Sequence, residues 1–114
     1  AEVTLTGARR RLGPDVETAL FRTVQEALAN IEQHADASRV RLTLSFADDS
    51  VLLDVRDDGN GFDSNVPPGS DSYGLASMQR RVAHLEGTMQ VESAPGEGTA
   101  ISIRIPSSRL GSRR

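Results

Sequence analysis

The chain has 114 residues, 37% hydrophobic and 25% charged, with a formal charge of −3. Those values fit one globular domain and exclude a disordered chain. Cysteine and lysine are both absent, which removes disulfides, thiol catalysis, cysteine-bound zinc, the lysine-bearing phosphate loop and Schiff-base chemistry. The mild acidity gives no support for nucleic-acid binding. No apolar run approaches the ~20 residues of a membrane span. Residues 1–11 carry no signal-peptide pattern. A cytoplasmic location is the expectation, whether or not a parent protein is membrane-anchored.

Val3 and Leu5 alternate with polar neighbours and predict a short first strand. A turn follows at residues 12–15, where Pro14 suits the first turn of a helix and Asp15 and Glu17 favour its N-terminus. Helical periodicity then runs to about Ala35, with Val16, Leu20, Val24, Ala27, Leu28, Ile31 and Ala35 in one apolar stripe. Strict alternation over residues 40–46, resumed at Val51, Leu53 and Val55, predicts a hairpin turning at 47–50. Residues 57–74 form a Gly-, Asp- and Ser-rich loop, long enough to be a lid or a disordered segment. A second helix is expected over 74–86, with Leu75, Met78, Val82 and Leu85 on one face and Gly87 as its cap. A last hairpin carries Met89 and Val91, a turn at 95–98, and Ile101, Ile103 and Ile105.

The fold expected from this order is α+β. It is a two-layer α/β sandwich with two helices on one face of a mixed, mainly antiparallel five-stranded sheet. Arg41, Thr43, Asp54, Ser102 and Arg104 should occupy the opposite face. The domain spans 1–106, and 107–114 is a polar tail.

Four groups of residues carry chemistry. Glu26, Asn30 and His34 recur every helical turn and so share one side of the first helix. A carboxylate, a carboxamide and an imidazole together can hold a hard cation, and the Asn30 amide oxygen suits Mg²⁺. On spacing alone the three also read as a solvated helix edge. Asp57-Asp58-Gly59-Asn60-Gly61 follows a strand directly. A carboxylate there, between glycines, can accept a hydrogen bond from an exocyclic amine such as adenine's; the plainer reading is a surface turn. Gly96-Glu97-Gly98-Thr99 reads alone as a hairpin turn. Tyr73-Gly74-Leu75 opens the second helix with a glycine, a setting that suits phosphate.

Taken in order, these segments resemble the ATP-binding catalytic domain of sensor histidine kinases, in the superfamily shared with gyrase, the large heat-shock chaperone and the mismatch-repair ATPases. Thr23-Val24-Gln25-Glu26-Ala27-Leu28-Ala29-Asn30 with His34-Ala35 resembles the N box. Val55-Arg56-Asp57-Asp58-Gly59-Asn60-Gly61-Phe62 resembles the G1 box. Tyr73-Gly74-Leu75-Ala76-Ser77-Met78 with Arg81 resembles the G2 region, and Ser93-Ala94-Pro95-Gly96-Glu97-Gly98-Thr99 the final G box. The Gln-Glu-Ala-Leu run with His-Ala points to the subfamily paired with NarL-type response regulators.

The resemblance implies the Bergerat ATP-binding fold, with ATP and Mg²⁺ as cofactors. It implies that Asp57 binds the adenine amine in a pocket shaped by Gly59, Gly61, Gly98 and Thr99. Asn30 would coordinate the metal, and residues 62–73 would be the ATP lid. His34, Phe62, Gly74 and Leu75 would complete the nucleotide contacts. Glu26 stands where the hydrolysing relatives keep their general base, so Glu26 and Asn30 are the expected catalytic residues. The γ-phosphoryl group would pass to a histidine on a separate dimerisation domain. The fragment is expected to be monomeric, to autophosphorylate poorly by itself, and to come from a homodimeric parent. His84, beside Val82 and Leu85, reads as structural. Gln33, Ser72 and Gln79 replace basic or glycine residues common in the family, which thins the cationic contribution at the phosphate end. A serine kinase of the anti-sigma-factor type, and a noncatalytic nucleotide-sensing or docking module, are the alternatives.

Overall fold

The computed structural model describes residues 2–7, 12–32, 37–61 and 75–106. Seven elements follow one another: β1 (Glu2–Gly7), α1 (Pro14–Asn30), β2 (Val40–Phe46), β3 (Ser50–Asp57), α2 (Leu75–His84), β4 (Thr88–Ser93) and β5 (Thr99–Pro106). The sheet order is β1-β2-β3-β5-β4. β1 runs parallel to β2, and every other pair is antiparallel. The parallel pair arises because α1 lies between β1 and β2 in the chain, and a crossover of that length returns the strand in the same direction. The expected mixed, mainly antiparallel sheet is therefore the one observed.

Alternation decides the two faces. Leu42 on β2, Val51, Leu53 and Val55 on β3, and Ile101, Ile103 and Ile105 on β5 are all buried. They share one core with Val16, Leu20 and Ala27 of α1 and Met78 and Val82 of α2, so both helices cover the same sheet face. The other face carries Arg41, Thr43, Asp54, Ser102 and Arg104, as alternation predicted. There Ser102 Oγ donates to Asp54 at 2.7 Å, and Thr6 Oγ1 donates to Ser45 at 2.8 Å.

The helices depart from expectation in two places, the buried stripe of α1 and the cap of α2. Regular α1 ends at Asn30, with Ile31 and Glu32 in a wider turn; the predicted continuation to Ala35 lies outside the described residues. Its buried stripe is centred on Val16, Ala19, Leu20, Thr23 and Ala27, while Val24 and Leu28 are half-buried at its margin. Thr23 fits the core because its hydroxyl donates to Ala19 O at 2.8 Å, within its own helix. At the end of α2, Glu86, not Gly87, takes the left-handed conformation, with φ 60°. Glu86 N–H donates to Ala83 O and Gly87 N–H to Val82 O, both at 2.9 Å, which is the Schellman pattern. Gly87 is the following residue, where a Cβ would lie 2.6 Å from Arg104 O of β5. The glycine therefore serves the close pass under the sheet rather than the turn itself.

Candidate functional site

The C-terminal end of β3 meets the N-terminal end of β5 and the C-terminal end of β4. Asp57 stands opposite Thr99, and Thr99 opposite Ser93, so the three side chains form one row on the helix-covered face. Asp57 Oδ1 accepts the Gly59 N–H at 2.9 Å, which fixes the carboxylate. Among the described residues, no hydrogen bond engages its Oδ2. Ser93 Oγ donates to Gly98 O at 3.0 Å and lies 2.8 Å from Thr99 Oγ1. With its one hydrogen directed at Gly98, Ser93 accepts the Thr99 hydroxyl and orients it. A hollow of about 510 Å³ wraps this end of the sheet, with Arg56, Asp57, Glu92, Ser93, Gly98 and Thr99 in its lining. That volume falls in the range of small-molecule sites.

The glycines hold this end together by backbone contact. Gly61 and Gly98 have φ of +64° and +74°. A Cβ on Gly61 would collide with Ala94 O, and one on Gly98 with Asp57 O. Gly96 N–H also donates to Asn60 O at 2.6 Å. The segment after β3 and the β4–β5 turn therefore interlock main chain to main chain, and only residues without a Cβ permit it. The sequence pointed to glycines that admit a ligand; the structure shows that Gly61 and Gly98 admit neighbouring backbone.

Asp58 has a different task from Asp57. Its carboxylate accepts the Ser38 hydroxyl at 2.7 Å and the Ser38 and Arg39 N–H groups at 2.8 Å each. The Ser38 hydroxyl above all, then the Arg39 N–H, holds its carboxyl below the ordinary aspartate range. Asp58 thus ties the approach to β2 onto the end of β3.

A second cluster lies between the helices. Glu26 and Asn30 are one turn apart on α1, both half-buried. Arg81 of α2 reaches across, with Nη2 2.6 Å from Glu26 Oε1. Arg81 Nη1 is buried and has no hydrogen-bond partner among the described residues. Leu75, at the start of α2, packs against the core. His34, Phe62 and Gly74, with Gln33, Ser72 and the whole of the predicted lid, lie outside the described residues. Gln79 is exposed on α2. The motifs included Ser93 and Arg81 without giving either a role. Pairing across β4 and β5 shows what the first touches, and an ion pair between residues 26 and 81 shows what the second touches; neither contact is marked by local spacing.

Among the described residues, no cluster of three or more acidic, histidine or cysteine side chains is arranged to hold a metal. Magnesium needs no such cage: one or two protein oxygens plus phosphates suffice, and Asn30 can supply one. The described residues contain no helix long and apolar enough to cross a membrane.

Residues 15–109 match the family described as Histidine kinase-, DNA gyrase B-, and HSP90-like ATPase. The signal transduction histidine-protein kinase/phosphatase DegS of Bacillus subtilis is 40% identical over 85% of this chain. The sensor histidine kinase LiaS of the same organism is 42% identical over 80% of it. The aligned parts make up 26% and 25% of those proteins, so the chain spans about a quarter of the relatives' length. In three dimensions it is similar to the histidine kinase domain of a blue-light activated histidine kinase from Erythrobacter litoralis. The TM-score is 0.71 at 23% identity, covering 95% of this chain and 55% of that one. At that identity the likeness is one of fold.

Proposed function

Because the chain belongs to the histidine kinase-, DNA gyrase B- and HSP90-like ATPase family, we propose that it is the ATP-binding catalytic domain of a two-component sensor histidine kinase. One observation carries the site assignment: the Asp57 carboxylate is fixed through one oxygen by its own loop, while no described residue bonds the other. A carboxylate held in that way, in a hollow at the sheet end, is poised to accept the exocyclic amine of adenine. Thr99, oriented by Ser93, offers a hydroxyl oxygen beside it. Gly98 lines the same hollow, and Gly59 and Gly61 join the base pocket on the strength of the family resemblance.

Glu26 and Asn30 form the phosphate end. The Asn30 amide oxygen would hold Mg²⁺, which neutralises phosphate charge when bound. The domain then performs no covalent step with its own side chains. It binds the base, orients the phosphates and leaves the nucleophile to a histidine on a separate dimerisation domain. His34, Phe62, Gly74 and Leu75 extend the nucleotide contacts on the strength of the family resemblance. A response regulator of the NarL type would receive the phosphoryl group afterwards, and the domain would work in the cytoplasm. The histidine-kinase names of the relatives favour this reading over the serine-kinase and docking-module alternatives.

The test is calorimetric titration with ADP and a nonhydrolysable ATP analogue, with and without Mg²⁺, on the wild type and Asp57→Asn. Wild-type binding that strengthens with Mg²⁺ and falls at least tenfold in the variant is the expected result, since a hydrogen bond to a charged group contributes about 1.5–3 kcal/mol. Phosphotransfer to a supplied histidine-bearing domain completes it. A folded wild type that binds neither nucleotide ends this reading.

A further inference from the structure

The structure places an arginine beside Glu26, one helical turn from Asn30, at the proposed phosphate end. Seven arginines fall among the described residues. Arg41, Arg56 and Arg104 belong to the open sheet face, and Arg39 to the approach to β2. Arg22 and Arg80 are exposed on the helices, Arg80 donating to Ser77 at 3.3 Å. Arg81 differs from them all. Its Nη2 is committed to Glu26 at 2.6 Å, and its Nη1 is buried without an acceptor among the described residues.

A buried guanidinium nitrogen with no acceptor is costly, and a charged donor more so than a neutral one. An anion within its reach removes that cost. The guanidinium is a planar fork, so one nitrogen can hold a carboxylate while the other faces a second anion. Glu26 lies one helical turn from Asn30, the proposed metal ligand. The fork is thereby held to the α1 turn that precedes Asn30, whereas Asp57 ends β3.

We propose that Arg81 is the phosphate-binding cation of this site, held in place by Glu26, and that Nη1 is the nitrogen that meets a nucleotide phosphate oxygen. This rests on the reading of the chain as a nucleotide-binding domain. It makes Glu26 a positioning residue. One of its carboxylate oxygens, Oε1, holds the guanidinium at 2.6 Å.

The experiment measures affinity for adenosine, ADP and a nonhydrolysable ATP analogue by calorimetry on the 114-residue chain. Wild type, Arg81→Gln, Arg81→Lys and Glu26→Gln are compared, each first checked for a cooperative thermal transition. Arg81→Gln is expected to weaken the ATP analogue tenfold or more and leave adenosine unchanged. Arg81→Lys keeps the charge but loses the fork, and its loss should fall between wild type and Arg81→Gln. Glu26→Gln should lower the preference for ATP analogue over adenosine without altering adenosine itself. Equal loss for all three ligands in Arg81→Gln, or no loss, overturns the proposal while leaving the nucleotide reading intact. A folded wild type that binds none of the ligands overturns both.

Discussion

The two ends of the proposed site are built by opposite means. At the sheet end, main chain lies against main chain: Gly61 beneath Ala94 O, Gly98 against Asp57 O, Gly96 bonded to Asn60. Between the helices, a single side-chain ion pair, Glu26 with Arg81, spans the gap. A backbone contact tolerates almost no substitution, because any Cβ enters occupied space. A pair of long side chains can be altered with little effect on the fold. The end proposed to bind the base is thus fixed by architecture, and the end proposed to bind phosphate is adjustable through chemistry.

The sharpest way to break the comparison is Gly98→Ala. The new Cβ meets the Asp57 carbonyl at a left-handed φ, and we expect about 3 kcal/mol or more of destabilisation by urea unfolding, with nucleotide binding lost as well. Glu86→Gly acts away from both ends and is the control for left-handed backbone. Relieving a left-handed glutamate should stabilise the fold by about 0.5–1 kcal/mol, after the added entropy of the unfolded glycine is counted. Next comes a double-mutant cycle on Glu26 and Arg81 without nucleotide. Both side chains are partly exposed, at 34% and 22%, so the coupling in stability should be no more than about 1 kcal/mol, however large the effect on phosphate selectivity. The smallest effect concerns Asp58. Its folded pKa is depressed below the ordinary value of about 3.9, so its contribution is complete at neutral pH and fades as pH falls through that depressed value. Asp58→Asn should flatten the dependence of the urea midpoint on pH in that acid range alone.

How much could be read beforehand follows the range of each interaction. Alternation at Leu42, Leu53, Val55 and Ile101–Ile105 depends on adjacent residues and gave strands, faces and fold class correctly. The order of the boxes carried the family, which the comparisons bear out. The parallel entry of β1 is a property of the crossover and has no local mark. Thr23 escaped notice as a core residue because its hydroxyl is satisfied inside its own helix. The turn after α2 was placed one residue late, since glycine marks both a left-handed turn and a close pass. The Glu26–Arg81 pair joins two separate helices, and helical periodicity is silent about such meetings.

The parallel strand β1 has a consequence in time. β2 with β3 and β4 with β5 are joined by short turns and close cheaply, whereas Val3 must find Leu42 across the whole of α1. Once there, β1 is bonded on one edge only, and Val3 and Leu5 remain 69% and 46% exposed. It should be the last strand to dock during folding and the first to release. In deuterium oxide its amide protons should exchange well before those of β3, which has neighbours on both sides and gives up its protons only when the whole domain opens.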